Sequence, residues 1–349
     1  MNSRKIQVNS VTSLREFQQY LVQCNNIIAL CGAGLSVASG IPTFRGSNGL
    51  WKEYSQIDLA TPEAFQSDPS LVWQFYSARR YQALNAKPNK GHFSLAELSQ
   101  RLNNNHNKKN INLYDNLYNK KFITLTQNVD ALSLRANHDP NTLLQLHGSL
   151  FDLKCTGFLC NYHEENRFTH PLVPALELSN LDKAFHSINE KLKKRKIVSD
   201  SQNNNNDIEF EEVDDQNVQY DPVKDIKIED LPHCPKCKKN LLRPSIVWFG
   251  ESLPLNVIDK ADNFIEENKI DLILVIGTSG TVWPAMGYVE RVIRQGGKVA
   301  IFNTEIDLEE LKKDGVGWGF KGDCEKLLPK ALEPLIGKSE YYSTRKNYH

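Results

Sequence analysis

No apolar run in this chain approaches the roughly 20 residues that a bilayer-spanning helix requires, so a membrane span is not expected. An excess of one charge is lacking too. Lys+Arg and Asp+Glu stand equal at 42 each, which removes the global field that nucleic acid or a charged membrane surface would select. The start of the chain has no apolar signal-peptide core. It does lack acids through Arg15 and carries Arg4 and Lys5, a transit-peptide trait, although 13–23 already reads as a first helix. No internal repeat is visible. Cysteine is sparse, at seven in 349 residues. Four of the seven fall in two close pairs, which fits a metal site in a reducing compartment better than a disulfide framework. What remains is ample apolar content for one large or two ordinary domains.

The chain is organised around 27–45. Ile27-Ile28-Ala29-Leu30-Cys31 is a continuous apolar run suited to a buried parallel strand. It breaks at Gly32-Ala33-Gly34, and Leu35-Ser36 opens a helix start. Such a turn is expected to leave backbone N–H groups facing outward for a pyrophosphate, aided by the helix dipole. An ordinary structural turn uses the same glycines, and the third glycine, Gly40, comes too late for the dehydrogenase fingerprint. Pro42-Thr43-Phe44-Arg45 adds an aromatic and a cation, and Gly46 to Trp51 reads as a flap.

Further along, Thr61 and Pro62 read as the cap and first turn of a helical stretch running through Tyr81. Within it Tyr76 and Arg79 are three apart and share a face. A phenol beside a guanidinium makes a carboxylate receptor, although the same spacing suits an amphipathic helix with a surface arginine. Phe122 to Thr126 is a second buried strand ending in Gln127-Asn128-Val129-Asp130, polar groups where ligands dock in open α/β sheets. Leu143 to Leu146 leads a strand up to His147-Gly148, and imidazole titrates where a general base must. The other histidines, His92 and His138 among them, lie in polar or variable-looking stretches. Asp271 to Ile276 ends in Gly277-Thr278-Ser279, and Lys298 to Phe302 ends in Asn303-Thr304-Glu305, small hydroxyl, amide and carboxylate groups suited to phosphate and ribose.

Taken in this order, the motifs resemble the sirtuins, the NAD-dependent protein lysine deacylases, over roughly Leu14 to Pro329. The resemblance implies a doubly wound parallel sheet of Rossmann type with a smaller zinc-binding module inserted. It implies NAD contacts from Gly32, Ala33, Gly34 and Ser36, from Phe44, Arg45 and Trp51, and from Gln127, Asn128, Val129 and Asp130. Gly277, Thr278, Ser279, Asn303, Thr304 and Glu305 would complete that site, with Cys324 meeting the adenine. His147 falls on the catalytic base. Within the family the chain looks most like the branch that removes succinyl, malonyl and glutaryl groups. There a Tyr-x-x-Arg like Tyr76 and Arg79 binds the acyl carboxylate, and a small residue like Ala60 widens the pocket. The segment holding Val247, Phe249 and Gly250 would pair with the substrate peptide as an added strand. One departure is local, since Ser133 and Ala136-Asn137 stand where sirtuins usually carry His and Ala-Gly. A mitochondrial location follows from the resemblance alone, with cytosol or nucleus as alternatives.

Cys155-x4-Cys160 and Cys234-x2-Cys237 suit a closed tetrahedral Zn²⁺ site with no open position for catalysis. Between the pairs, a basic run at 183–196 precedes an Asn-rich acidic stretch at 199–230, read as an extended or disordered insertion. The expected organisation is a nucleotide-binding unit from 1–150 and 240–349 and a zinc module from 151–239. The expected activity is removal of acidic acyl groups from protein lysine, giving nicotinamide and O-acyl-ADP-ribose. The alternatives are a general deacetylase or ADP-ribosyltransferase, and a non-catalytic NAD-binding module. The expected partners are acylated protein lysines and neither nucleic acid nor membrane, with an unknown protein partner for the charged insertion left open.

Overall fold

The computed structural model describes residues 10–43, 50–51, 54–103, 120–177, 223–278, 285–306 and 317–338. Its strands are β1 (Asn26–Cys31), β2 (Leu50–Trp51), β3 (Tyr54–Ser55), β4 (Lys121–Thr126), β5 (Leu143–Gln145), β6 (Gly148–Cys155), β7 (His163–Glu164), β8 (Leu242–Ile246), β9 (Leu272–Ile276), β10 (Lys298–Asn303) and β11 (Gly317–Lys321). Six of them form one parallel sheet in the order β11-β10-β9-β1-β4-β5. In β1 every residue from Ile27 to Cys31 is buried, and β9 is buried throughout. Both faces are therefore covered, which is why these strands read as unbroken apolar runs.

Alternate side chains supply two cores. Ile27, Ala29, Cys31, Leu272 and Leu274 pack with Phe17, Leu98, Leu328 and Leu332 from the helices Ser10–Gln23, Lys90–Asn103 and Cys324–Ile336. Ile28, Leu30, Ile273 and Val275 pack with Ala261, Ile265, Tyr288 and Val292 from the helices Leu255–Glu267 and Ala285–Arg294. Helices on both faces of a parallel sheet make the doubly wound architecture. Chain direction reverses about β1. The chain goes to β4 and β5 on one side, then returns to β9, β10 and β11 on the other. Ligands collect at the carboxyl ends of strands beside such a switch point.

A third core joins the three-stranded sheet β7-β6-β8 to helices from the first quarter of the chain. Trp73, Phe75 and Tyr76 pack there with Phe151, Leu153 and Trp248. Trp73 Nε1 donates to Leu242 O at 3.0 Å, and the fully buried Arg80 donates to the carbonyls of Leu150, Arg167 and Thr169. The helical stretch expected to run unbroken from Pro62 to Tyr81 is two helices, Pro62–Ser67 and Pro69–Asn85. Thr61 does cap the first, accepting from Ala64 N at 3.1 Å. Asp68, kept out of the helical region before Pro69, ends it and caps the second by accepting from Leu71 N at 2.9 Å.

Candidate active site

The carboxyl ends of β1, β4, β5, β9 and β10 bring Gly32, Gln127, His147, Thr278 and Asn303 to one edge of the sheet. Two side-chain bonds tie this edge together, Thr278 Oγ1 to Gln127 Oε1 at 3.1 Å and Asn303 Nδ2 to Thr278 O at 3.0 Å. Thr304 and Glu305 are exposed beyond Asn303. Cys324 lies beneath them, its Sγ 3.5 Å from Phe302 O, and burial pushes its thiol up to about 12, outside the range of a reactive thiolate.

The glycine turn differs from expectation. The N–H groups of Gly32, Gly34, Leu35 and Ser36 do not face outward. They donate to Ile276 O, Gly277 O, Gly32 O and Ala33 O at 2.8, 2.8, 3.1 and 3.0 Å. The reason is close packing of two turns. A Cβ on Gly32 would lie 2.7 Å from Gly277 O, and one on Gly34 would lie 2.7 Å from Gly277 Cα. Gly277 itself sits at φ +58°, where glycine carries no steric cost. The glycines therefore let the ends of β1 and β9 close on each other, and this sets the floor of the site.

Above that floor a buried polar network is centred on Asp130. Its carboxylate accepts from Ser36 Oγ at 2.6 Å and from Leu132 N at 2.9 Å. Asn128 Nδ2 donates to Gly32 O at 3.0 Å and reaches Ser36 Oγ at 3.3 Å. Val129 turns the other way, toward the third core. His92, which sequence reasoning passed over, belongs to this network. Its Nδ1 accepts from Asn89 N at 3.2 Å, so in the neutral ring Nε2 carries the proton and faces Ser36 Oγ at 3.4 Å. Burial pushes its pKa down to about 4, which keeps the ring neutral. The available signal was the Asn89-x-x-His92 spacing at a helix start, and it carries no chemistry without the fold.

His147 is half-buried, and its Nδ1 stands 3.1 Å from Gln127 O. A carbonyl only accepts, so Nδ1 carries the proton and Nε2 keeps its lone pair. Burial lowers its pKa, while the Gln127 carbonyl opposes the shift. Gly148 stands at φ +73°, and a Cβ there would fall 2.0 Å from Ser245 O, so only glycine fits. The His147 carbonyl accepts from Val247 N at 3.0 Å.

A second group of side chains lies between the edge and the third core. Tyr76 and Arg79 share the helix Pro69–Asn85 and are 2% and 8% exposed, which removes the surface-arginine alternative. Arg79 Nη1 donates to Gln56 Oε1 at 2.9 Å. Burial lowers the Arg79 pKa, with Tyr76 and Asp130 acting the other way. Trp248 Nε1 donates to the Tyr76 hydroxyl oxygen at 2.8 Å. Trp248 is itself clamped, with the Arg243 guanidinium 3.2 Å over its ring and Arg243 paired to Glu251 at 2.6 Å. Ala60 is buried in the same core. Gln56 and Trp248 are site features that sequence reasoning did not single out.

From Val247 to Gly250 the chain leaves β8, with Phe249 55% exposed and Gly250 at φ +87°. The N–H groups of Val247, Trp248 and Phe249 are taken by His147 O, Glu251 Oε2 and Ala60 O at 3.0, 2.9 and 2.9 Å. A peptide docking here as an added strand would have to be received through other backbone groups, so the expectation of an open edge is narrowed. Phe44, Arg45 and Ser279 lie outside the described residues, as do 104–119 and 178–222, and only the backbone of Trp51 is described. The expected extended stretch 199–230 is corrected at its end, because 223–230 is ordered against the third core, with Ile226 buried, Lys224 N donating to Gln74 Oε1 at 2.8 Å and a 3-10 turn at Ile228–Asp230.

The four expected cysteine ligands converge. Their sulfurs all lie within 4.8 Å of one another, with Cys155–Cys237 and Cys160–Cys234 at 3.7 Å. A tetrahedron with metal–sulfur bonds of about 2.3 Å has edges of roughly 3.8 Å, so the arrangement fits Zn²⁺. Hydrogen bonds from the Lys239 backbone and from Asn240 push the Cys237 thiol down to about 6, favouring the thiolate a metal needs. The cluster stands on β6 and the chain leading into β8, in the third core and away from the parallel sheet.

Comparison with known proteins places this geometry among relatives. The Sir2 family profile matches residues 32–284. A Candida albicans protein named NAD-dependent protein deacylase is 54% identical over 326 residues, covering 93% of this chain and 98% of its own. The dog protein named NAD-dependent protein deacylase sirtuin-5, mitochondrial, is 33% identical over 93% of this chain and 86% of its own. Among solved structures, a Sir2 homologue–NAD complex is 30% identical with a TM-score of 0.63, covering 92% of this chain and 93% of its own. A mutant Sir2 homologue in complex with 2′-O-acetyl ADP ribose is 29% identical with a TM-score of 0.64, over 95% and 99%.

Proposed function

The chain belongs to the Sir2 family, and on that footing we propose that it is an NAD-dependent protein-lysine deacylase that prefers acidic acyl groups. NAD, when bound, supplies the ribose carbon that receives the acyl group, and nicotinamide leaves. In this reading Gln127 and Thr278 meet the ribose, and Asn303, Thr304, Glu305 and Cys324 flank the adenosine. Asn128 and Asp130 hold the carboxamide, with the Asp130 carboxylate oriented by the donors Ser36 Oγ and Leu132 N. His147 takes a proton at Nε2 from a ribose hydroxyl, because its Nδ1 is committed to Gln127 O. Zn²⁺ on Cys155, Cys160, Cys234 and Cys237 holds the small module and takes no part in the chemistry. The division into a nucleotide-binding unit (1–150 and 240–349) and a zinc module (151–239) belongs to the same reading. So does mitochondrial residence, drawn from the relatives named sirtuin-5.

The acidic-acyl preference rests on one observation. A guanidinium that is 8% exposed lies beside a phenol that is 2% exposed, and one of its hydrogen bonds, at 2.9 Å, goes to the neutral amide of Gln56. The polarity at Tyr76 points the same way. Indole N–H can only donate, so the Tyr76 oxygen accepts from Trp248 and its own proton is left to donate elsewhere. A carboxylate reaching between them would meet two donors in a desolvated pocket. A charge-assisted hydrogen bond is worth roughly 1.5–3 kcal/mol. Arg79→Met should therefore lower the ratio of succinyl- to acetyl-lysine efficiency by about 10- to 100-fold, measured as kcat/KM on matched peptides. An unchanged ratio would make the chain a general deacetylase.

A further inference from the structure

The tip of the zinc loop runs against the usual composition of turns. Cys160 N donates to Gly157 O at 2.9 Å, so Gly157-Phe158-Leu159-Cys160 is a β-turn with Phe158 and Leu159 at its central positions. Such positions favour Gly, Pro, Asn, Asp or Ser, which shape the turn and suit water. Here two large apolar side chains stand there at 101% and 95% exposure, more than any other large apolar side chain among the described residues. The turn is firmly seated. A Cβ on Gly157 would fall 2.4 Å from Asn240 Nδ2, so the loop is pressed against the segment of the second cysteine pair. Cys155 and Cys160 anchor its two ends in the four-sulfur cluster. Charge around the tip has one sign. Residues 154–163 and 231–243 contain no Asp or Glu, and Lys236, Lys238 and Lys239 are exposed. Lys236 Nζ reaches across to Asn161 Oδ1 at 2.5 Å, which places one ammonium group at the foot of the tip.

We propose that this tip docks the protein on an anionic lipid surface, with Phe158 and Leu159 entering the hydrocarbon margin and the three lysines meeting the headgroup phosphates. The shape favours lipid over a folded partner. A protein would need a pocket cut to the pair, whereas a fluid acyl boundary receives any protruding apolar group. The charge favours an anionic surface. Four thiolates around Zn²⁺ leave an excess of negative charge, but the sulfurs are buried or half-buried while the ammonium groups stand in water. Each lysine held near such a surface raises partitioning about five-fold, and salt weakens the effect. The expectation of no membrane partner came from the zero net charge and the lack of a spanning run. Neither bears on a peripheral contact made by one acid-free corner. The tip shares no residue with the candidate active site, so docking and deacylation are separable.

The experiment pellets the zinc-loaded full chain with vesicles of phosphatidylcholine, alone or mixed with phosphatidylglycerol, at low and high salt. Binding should be about 10-fold or more stronger on the mixed vesicles and should weaken at high salt. The double variant Phe158→Ser/Leu159→Ser should lose about 10-fold or more of that binding, the scale of two apolar side chains left in water. Lys238→Glu/Lys239→Glu should lose about as much. Both variants should keep their zinc and their kcat/KM on soluble acyl-lysine peptides. Failure of the full chain to pellet with the mixed vesicles overturns the proposal, as does equal binding to both vesicle types. Retention on poly-glutamate beads without vesicle binding gives the tip to an acidic protein and also overturns it. Wild-type pelleting of the Phe158→Ser/Leu159→Ser variant removes insertion and leaves only charge, which contradicts the proposal. Should that variant lose its zinc, Phe158→Ala decides, and wild-type pelleting there overturns the proposal.

Discussion

At the scale of single residues, the chemistry turns on which proton each imidazole carries. His147 gives Nδ1–H to Gln127 O and keeps Nε2 for accepting. His92 does the reverse, accepting at Nδ1 from Asn89 N and presenting Nε2–H to Ser36. The first arrangement suits a base and the second suits an orienting donor, with Ser36 in turn obliged to donate to Asp130. His147→Ala should keep NAD binding, measured by calorimetry, and lose deacylation by about 10² or more, the usual span for a general base. Burial lowers the His147 pKa, and a base works only in its neutral form. Deacylation should therefore hold below pH 6.5 and decline only as pH falls through that lowered value. An acid limb in kcat/KM at or above 6.5 would contradict a desolvated base. His147 was legible in the sequence because a strand delivers it beside a glycine. His92 was not, because its partner Ser36 is 56 residues away and only the fold joins them.

At the scale of elements, the zinc module shows how paired ligands substitute for a large core. β7 has two residues and pairs with β6 only through Leu153–Glu164 and Lys154–His163. The tip of the Cys155–Cys160 loop exposes Phe158 and Leu159 almost completely, so it draws no burial energy from them. Cross-linking β6 to the start of β8 through four thiolates can supply on the order of 10 kcal/mol of folding free energy to such a module. Cys234→Ser should therefore cost far more stability than Cys24→Ser, even though both are buried at 1% and 2% exposure. Cys24 gives only a thiol hydrogen bond to Tyr20 O at 3.3 Å. Thermal melts of the two variants, with metal content by elemental analysis, make the comparison. Equal melting shifts, or a purified chain without stoichiometric zinc, would end the claim. The cysteine pairs were readable because ligand spacing is local. The use of the Gly32 and Gly34 donors was not readable, because the acceptors that take them, Ile276 O and Gly277 O, lie at the end of β9, far along the chain.

At the scale of the whole molecule, a parallel sheet buried on both faces and a small sheet share one chain through the helices Pro62–Ser67 and Pro69–Asn85. Five of the six parallel strands were legible as apolar runs because burial in the sheet removes alternation, whereas β11, an edge strand reading Gly-Trp-Gly-Phe-Lys with both its ends exposed, was not. That the third core would draw Ile41, Phe65, Trp73 and Phe75 from so early in the chain was not, since their apolar spacing names no partner. Burying this much of the chain also buries imidazoles. His138 sits at 2% exposure behind β4, its Nε2 2.8 Å from Thr124 Oγ1, and His92 is 1% exposed under the active site. Burial pushes both down to about 4 from an ordinary 6.5. The folded-state pKa lies below the unfolded one, so below pH 6.5 the unfolded chain binds protons that the folded chain refuses. Stability then rises with pH across the window from about 4 to 6.5 and is lost as pH falls through it. Each of the two contributes on the order of 2 kcal/mol of loss by pH 5, from about 1.5 pKa units at 1.36 kcal/mol each. Urea midpoints at pH 7 and pH 5.5, with zinc kept saturating so that the thiolate site stays loaded, should fall in the wild type. They should fall by clearly less in His138→Gln, whose amide can still bond to Thr124. Equal slopes in the two proteins would mean that His138 titrates freely in the fold and that its burial carries no acid sensitivity.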